Sequence, residues 1–255
     1  MGGNQLNSLP KNFAQLQKLK RLTLGYNQFI TLPESVTKLQ NLEVLVLSGN
    51  QLKDLPESIG QLQKLKELSS RSSQLESLPK NITKLQNLEV LYLEGNRLAQ
   101  LPKGFGQLQK LERLDLTDNQ LSSLPESFGQ LQNLEVLGLG SNQLSNLPES
   151  FGQLYNIEVL TLRNNQLNSL PENFGQLQNL NGLDLNTNQL STLHESFGQL
   201  QKLKDLYLLS NQLNSLPESF EQLQKLRSLQ LSDNPLQAQE IEKLQKLLPN
   251  CNMSF

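Results

Sequence analysis

The chain has 255 residues, 36% of them hydrophobic and 18% charged, with a net charge of −2, a single cysteine and a single histidine. One cysteine excludes an internal disulfide framework, and the absence of any apolar run of about 18 residues or more excludes a transmembrane helix. Hydrophobic content this low would be short for a globular core, but it suits an architecture with a narrow interior line of leucines and wide polar surfaces.

The charge is unevenly spread. Up to Arg113 there are 15 Lys and Arg against 9 Asp and Glu; from Leu114 onward there are 7 against 15. Between Leu114 and Leu200 the one basic residue is Arg163, against nine acids. That stretch should repel nucleic acid and anionic membrane and favour a basic partner, or else serve as a solvated surface column. The first residues, MGGNQLNSLP, lack the basic and apolar regions of a signal peptide. The chain opens inside a repeat, at the station of Asn4, which suggests a segment trimmed upstream, and a leader with it.

Asparagine recurs every 23 residues, from Asn4, Asn27 and Asn50 to Asn234, through eleven stations without insertion or deletion, and fails once, at Ser73. Leucines stand eight, five and three residues before the marker, as Leu111, Leu114 and Leu116 do before Asn119, and two and five after it, as Leu121 and Leu124 do. Phe128 and Leu131 complete the unit. An LxxLxLxxN unit at a fixed short period predicts a solenoid of strands and return segments in which each turn touches its neighbours alone.

The N-terminal units, Asn4 to Gln40, use Phe13 and Val36 as interior residues, and no polar capping segment precedes them. The third strand reads LKELSSRSS: Leu65 and Leu68 are kept, while Ser70 replaces the third leucine and Ser73 the asparagine. A leucine so lost costs roughly 2–5 kcal/mol, and the two hydroxyls should satisfy each other or a trapped water. The break is either a kink or pocket beside Arg71 or a drifted repeat. From Leu88 to Leu231 the pattern is regular. Each return segment opens on a proline (Pro102, Pro125, Pro148, Pro171, Pro217), and a glycine four residues on (Gly106, Gly129, Gly152, Gly175) is expected to end any turn that starts there. About ten residues per return segment leave room for extended chain and 3₁₀ turns but not for long helices, so the arc should be shallow. After Asn234-Pro235, the residues Ala238, Ile241, Leu244 and Leu248 at helical spacing, with Glu242 and Lys246 as an i,i+4 pair, predict a helix of about three turns ended by Pro249. Cys251, Met253 and Phe255 then alternate as a short edge strand. The expected organisation is a solenoid over 1–236 and a cap over 237–255, with Cys251 a buried small hydrophobe.

The units LESLPKNITKLQNLEVLYLEGNRL and LSSLPESFGQLQNLEVLGLGSNQL resemble the 23-residue LPxxhxxLxxLxxLxLxxN class of leucine-rich-repeat proteins. The recurrent FGQLQNLEVL and the closing NPLQAQEIEKLQKLLPNCNMSF are similar to the leptospiral-type bacterial members, which are secreted or surface-borne. The resemblance implies an α/β repeat fold: a shallow horseshoe with a parallel concave β-sheet, a convex side of extended and 3₁₀ segments, and a C-terminal helical cap. It also implies a non-enzymatic, cofactor-free binding protein in host interaction, with a protein or peptide ligand on the concave face. Two alternatives remain open: an assembly protein that self-associates through its uncapped N-terminal edge, and an intracellular signalling scaffold.

With leucines turned inward, the residues six, four and two before each marker face the concave side. Those columns vary most from turn to turn, whereas the asparagines and the glutamines after them recur as scaffold. At about 4.8 Å per strand, ten strands offer a face roughly 45 Å long. Tyrosine and arginine are favoured at binding hot spots, which selects two clusters. Arg71, Tyr92, Glu94, Arg113 and Asp115 form the first; Arg163, Asp184, Tyr207 and Leu209 form the second. Opposite charges within each could equally neutralise one another. Val44, Val90, Val136 and Val159 are weaker candidates because LEV recurs as framework, and Tyr155 falls in a return segment.

Catalytic signals are sparse. His194 replaces a return-segment proline beside Glu195, with Glu172 and Glu218 one turn away, but one histidine without a cysteine partner is poor zinc-ligand arithmetic and reads as a surface residue. No Gly-rich phosphate loop, paired catalytic carboxylates or Ser/His/Asp set is present. Asn81-Ile82-Thr83 and Asn252-Met253-Ser254 match the short glycosylation sequon.

Overall fold

A computed structural model describes all 255 residues. Each repeat contributes one three-residue strand: β1 (Arg21–Thr23), β2 (Val44–Val46), β3 (Glu67–Ser69), β4 (Val90–Tyr92), β5 (Arg113–Asp115), β6 (Val136–Gly138), β7 (Val159–Thr161), β8 (Gly182–Asp184), β9 (Asp205–Tyr207) and β10 (Ser228–Gln230). With β11 (Asn252–Ser254) they make a single parallel sheet in sequence order. The register is the repeat itself, so that Arg113, Leu114 and Asp115 pair with Val136, Leu137 and Gly138, each 23 residues on. The central leucine of each strand points inward, and the flanking side chains point out onto the concave face.

The interior is one continuous cluster of 66 buried apolar residues from Phe13 to Leu248. On its convex side a column of rings, Phe105, Phe128, Phe151, Phe174, Phe197 and Phe220, stacks nearly parallel at centroid separations of 5.4–6.2 Å. Strands cannot sit farther apart than about 4.8 Å without losing their ladder, so the wider ring column fans the turns and bends the sheet. In the first repeats the same column holds Phe13, Val36, Ile59 and Ile82, all buried.

Return segments carry short 3₁₀ turns such as Glu126–Gln130, led by an extended proline, Pro125, at ψ 149°. One becomes a single α-turn, α1 (Glu34–Thr37). Gly106, Gly129 and Gly175 lie inside these turns rather than ending them. Their role is close approach: a Cβ at each would overlap the carbonyl oxygen of Ser127, Ser150 or Ser196 in the next repeat.

The asparagines build a ladder through the interior. Asn119 Oδ1 accepts from Leu98 N–H at 3.0 Å, and its Nδ2 donates to the carbonyls of Leu93 and Leu116, each at 3.0 Å. These bonds satisfy backbone groups that the departing strand strands without a sheet partner. Repetition from Asn27 to Asn234 leaves one gap. At Ser73 the acceptor for Leu52 N–H is missing, while the Ser73 hydroxyl meets the buried Ser70 hydroxyl at 3.1 Å. The residue before each marker is left-handed, with φ between 47° and 60° at Tyr26, Ser72, Asp118, Ser141, Asn164, Thr187, Ser210 and Asp233, and glycine at 49 and 95.

After the last repeat, α2 (Ala238–Leu247) lays Leu244 and Leu248 onto the end of the core, and β11 pairs with β10. Cys251 packs against this end half-buried rather than enclosed; burial pushes its thiol up to about 11. No helix is long and apolar enough to cross a membrane.

Candidate functional site: the concave sheet

Three-residue strands hold each concave side chain on a backbone pinned from both sides, so these columns are rigidly mounted. Over β4 to β8 they enclose a hollow of ≈ 420 Å³. Tyr92, Asp115 and Thr117 rise on one side of it and Thr161, Arg163 and Asp184 on the other, with Arg113 at one end. The depth comes from β6, where Gly138 and, just beyond it, Gly140 carry no side chain. Neighbours lean into that space: a Cβ on Gly138 would lie 2.6 Å from Asp115 Oδ1, and one on Gly140 would lie 3.2 Å from Arg163 Cγ. The apolar part of the floor is Val136 and Val159, and Val159 is 44% exposed.

The two clusters expected from the sequence are therefore redistributed. Tyr92, Arg113 and Asp115 share one hollow with Arg163 and Asp184. Arg71 and Glu94 stand beside it and Tyr207 and Leu209 farther along the sheet. Val136 and Val159, ranked as framework by the recurrent LEV, line it, as do Thr117, Thr161 and Gly138. The one sequence signal that could have marked the place is a pair of glycines in the variable columns of a single repeat, Gly138 and Gly140.

Charge in the site is arranged rather than cancelled. Arg71 lays its guanidinium over the Tyr92 ring, 4.1 Å from the centroid, and its Nε is 3.8 Å from Glu94 Oε2. The other ion pairs, Lys20–Glu43 and Lys66–Glu89, lie elsewhere, so Arg113 and Arg163 have no carboxylate within salt-bridge distance. Their acidic neighbours are occupied by the backbone: Asp115 Oδ1 accepts from Thr117 N–H at 3.0 Å and Asp184 Oδ1 from Asn186 N–H at 3.1 Å. Burial raises the Asp184 carboxyl above its ordinary value, against the Asn186 bond and Arg163. Burial also raises Glu94, helped by Asp115 and opposed by Arg71. The result is two free guanidiniums, two fixed carboxylates, one supported tyrosine and an apolar floor.

His194 is a turn cap: its Nδ1 accepts from Ser196 N–H at 3.1 Å, where other turns have proline. Ser196 Oγ in turn donates to the Glu172 carbonyl. In the Asn81 sequon, the Thr83 hydroxyl is buried and donates to the Lys80 carbonyl.

Matches to known families agree with this architecture. A leucine-rich repeat region matches residues 3–91, and the leucine rich repeat matches five overlapping stretches between 63 and 236. The chain belongs to the leucine-rich-repeat family. It is similar to a leucine-rich-repeat protein of Leptospira interrogans at 35% identity, over 99% of this chain and 82% of that one, with a TM-score of 0.58. It is also similar to the plant peptide hormone receptor RGFR1, solved in complex with RGF2, at 28% identity over 100% of this chain and 46% of that one, with a TM-score of 0.82. A chain of the Drosophila Toll–Spatzle complex matches at 26% identity over 91% of this chain and 34% of that one, with a TM-score of 0.81. The chain thus spans less than half the length of either of these last two. No curated protein matches it.

Proposed function

We propose that this chain is a non-enzymatic binding module that offers the hollow over β4 to β8 to a protein or peptide partner. The observation that carries this reading is the coincidence of that hollow with the columns in which the repeats differ. Scaffold positions hold the same residue in turn after turn; the columns of Tyr92, Arg113, Asp115, Arg163 and Asp184 change from one turn to the next. Exposed arginines and a half-buried tyrosine around a partly apolar floor are the composition expected of an interface centre. The structure of RGFR1 with RGF2 and that of the Toll–Spatzle complex, both protein assemblies by name, support the same use of the scaffold. Residues 1–236 form the presenting solenoid and 237–255 its cap. Secretion and a role at a host surface belong to this reading as what the resemblance to leptospiral-type repeat proteins implies.

A photo-reactive residue at 159 should capture a partner from host extracellular protein, and a control at 150 on the convex side should not. Capture should fall at least tenfold in the Tyr92→Ala/Arg163→Ala variant, a loss of about 1.4 kcal/mol. Equal labelling from both faces would sink the assignment. A second reading, self-association at the N-terminal end, is favoured by Leu16 and Ile30, 48% and 59% exposed; a sedimentation coefficient independent of concentration counts against it.

A further inference from the structure

A second hollow, of ≈ 620 Å³, lies away from the concave face, on the edge of the solenoid where each 3₁₀ turn passes into the next strand. It shares no residue with the concave hollow. Its lining comprises five primary amides (Gln176, Gln178, Asn179, Gln199 and Gln201), two lysines and one aromatic, Tyr155, and it includes no carboxylate.

A departure from the repeat and a run of untied amides meet here. The position 13 residues after the marker is glutamine from Gln17 to Gln224 in every repeat but one, where it is Tyr155. That tyrosine is 48% exposed. In other repeats the glutamine of this column is tied down by its own turn: Gln17, Gln63 and Gln86 donate Nε2 to the carbonyls three residues back, at 2.6, 2.6 and 2.8 Å. The tie is lacking from Gln109 to Gln201, and the last two of that run, Gln178 and Gln201, line this hollow beside Tyr155. Gln178 and Gln201, with Gln176 and Gln199 behind them, make no side-chain hydrogen bond within the protein, whereas Asn179 is held by the Tyr155 carbonyl and by Lys202 Nζ at 2.6 Å. The hollow thus combines an uncovered ring with four amides whose donors and acceptors are all free.

From this combination we infer that the hollow is a binding site for a neutral pyranose glycan. A sugar presents hydroxyls that each donate and accept, and a primary amide does both from one planar group. The C–H face of a pyranose is apolar and can lie on an aromatic ring whose hydroxyl end stays wet. A protein partner would need more apolar anchor than one tyrosine. Nucleic acid would need a denser basic patch than Lys225 and a lysine already spent on Asn179, in a region of the chain where acids predominate. Repetition supplies the rest, since equivalent amides on adjacent turns offer the same contacts at intervals along the edge, as successive sugars of a chain require.

The test is titration of the intact chain with neutral gluco-, galacto- and chito-oligosaccharides, and with an anionic polysaccharide, by calorimetry or on a glycan array. Tyr155→Gln restores the residue found at this place in the other repeats, so the fold is retained, which an unchanged melting curve verifies. We expect millimolar or tighter binding of at least one neutral series, insensitive to salt, weakened roughly tenfold by Tyr155→Gln and further by Gln178→Ala/Gln201→Ala. Val159→Asp on the concave face should leave it unchanged, so this site and the concave one stand or fall separately. The inference is overturned by no binding of any neutral series, by binding indifferent to Tyr155→Gln, or by binding of the anionic polymer alone with loss at high salt.

Discussion

The repeats up to β4 and those after it share a sequence motif but not a construction. From Phe105 to Phe220 every turn inserts a ring into one stack, and every station from Asn96 onward supplies its rung of the ladder. In the earlier part the column reads Val36, Ile59, Ile82 and the ladder lacks its rung at Ser73. The earlier part also carries the positive charge surplus. In a solenoid each repeat is held by its own packing and its two interfaces, so the difference implies a gradient of stability along the arc. The concave hollow sits on the better-built side of that gradient, beginning where the break at β3 ends. A binding face needs variable side chains on an invariant frame, and the frame is most regular beneath the hollow.

The largest effect expected from this contrast is at the ring column. Phe151→Ala, in the middle of the stack, should lower stability by about 3–5 kcal/mol, and Ile59→Val, in the earlier column, by about 0.5–1.5 kcal/mol. Urea unfolding measures both. Native-state hydrogen exchange should show amides of β1 to β3 opening before those of β5 to β9; uniform protection along the arc would remove the gradient. Next in size is repair of the ladder. Asn50 Nδ2 reaches the Leu24 carbonyl and Asn96 Nδ2 the Ser70 carbonyl, so an asparagine at 73 is placed to reach the Leu47 carbonyl and to accept from Leu52 N–H. Ser73→Asn should raise stability by roughly 1–3 kcal/mol, seen as a higher urea midpoint at unchanged slope. A drop would mean that the serine pair is a better-adapted local solution than the repeat it replaces.

What was legible in the sequence follows the same division. The period, the strand positions, the leucine core and α2 were all readable, because each depends on a residue facing one way in a repeated unit. Gly106 and its equivalents were misread as turn endings, since a glycine needed for close approach by the next repeat looks the same as one needed for backbone freedom. The concave hollow was readable in part. Tyr92, Arg113, Asp115, Arg163 and Asp184 stood out by type, but the grouping depends on which strand lacks side chains. Gly138 and Gly140 look like drift until their neighbours on β5 and β7 are seen leaning over them. Val159 was discounted because its motif recurs, although recurrence of a residue does not fix its exposure.

A smaller effect tests the left-handed column, which the sequence announced only through Gly49, Gly95 and the Asp and Asn that share it. Thr187 holds φ 55° with a branched side chain, a conformation that costs an L-residue roughly 1–2 kcal/mol. Thr187→Gly relieves that strain while freeing the unfolded chain, so a net gain of about 1 kcal/mol or less is expected in thermal unfolding. The same substitution at an equivalent asparagine, Asn164→Gly, should gain less, because asparagine tolerates the left-handed region better.

The smallest effect is a pH dependence at the rim of the hollow. Burial raises the Asp184 carboxyl, and the Asn186 N–H and Arg163 do not fully offset it. The folded chain therefore holds this proton to a higher pH than the unfolded chain does. Its contribution to stability is most favourable below the ordinary carboxylate range and diminishes as pH rises through the window between the unfolded and folded values. Asp184→Asn keeps an acceptor for the Asn186 N–H and removes the titration. The difference in urea midpoint, wild type minus variant, should therefore decline as pH rises from the ordinary carboxylate range through the raised folded value and be flat above it. Glu94, beside the hollow, is raised in the same direction, so an Asp184→Asn/Glu94→Gln variant should flatten the profile further. A partner bearing a cation against these two carboxylates would reverse their ionisation cost. Its binding should then weaken on acidification in wild type and lose that pH dependence in the double variant, which connects the stability of the rim to the proposed use of the concave face.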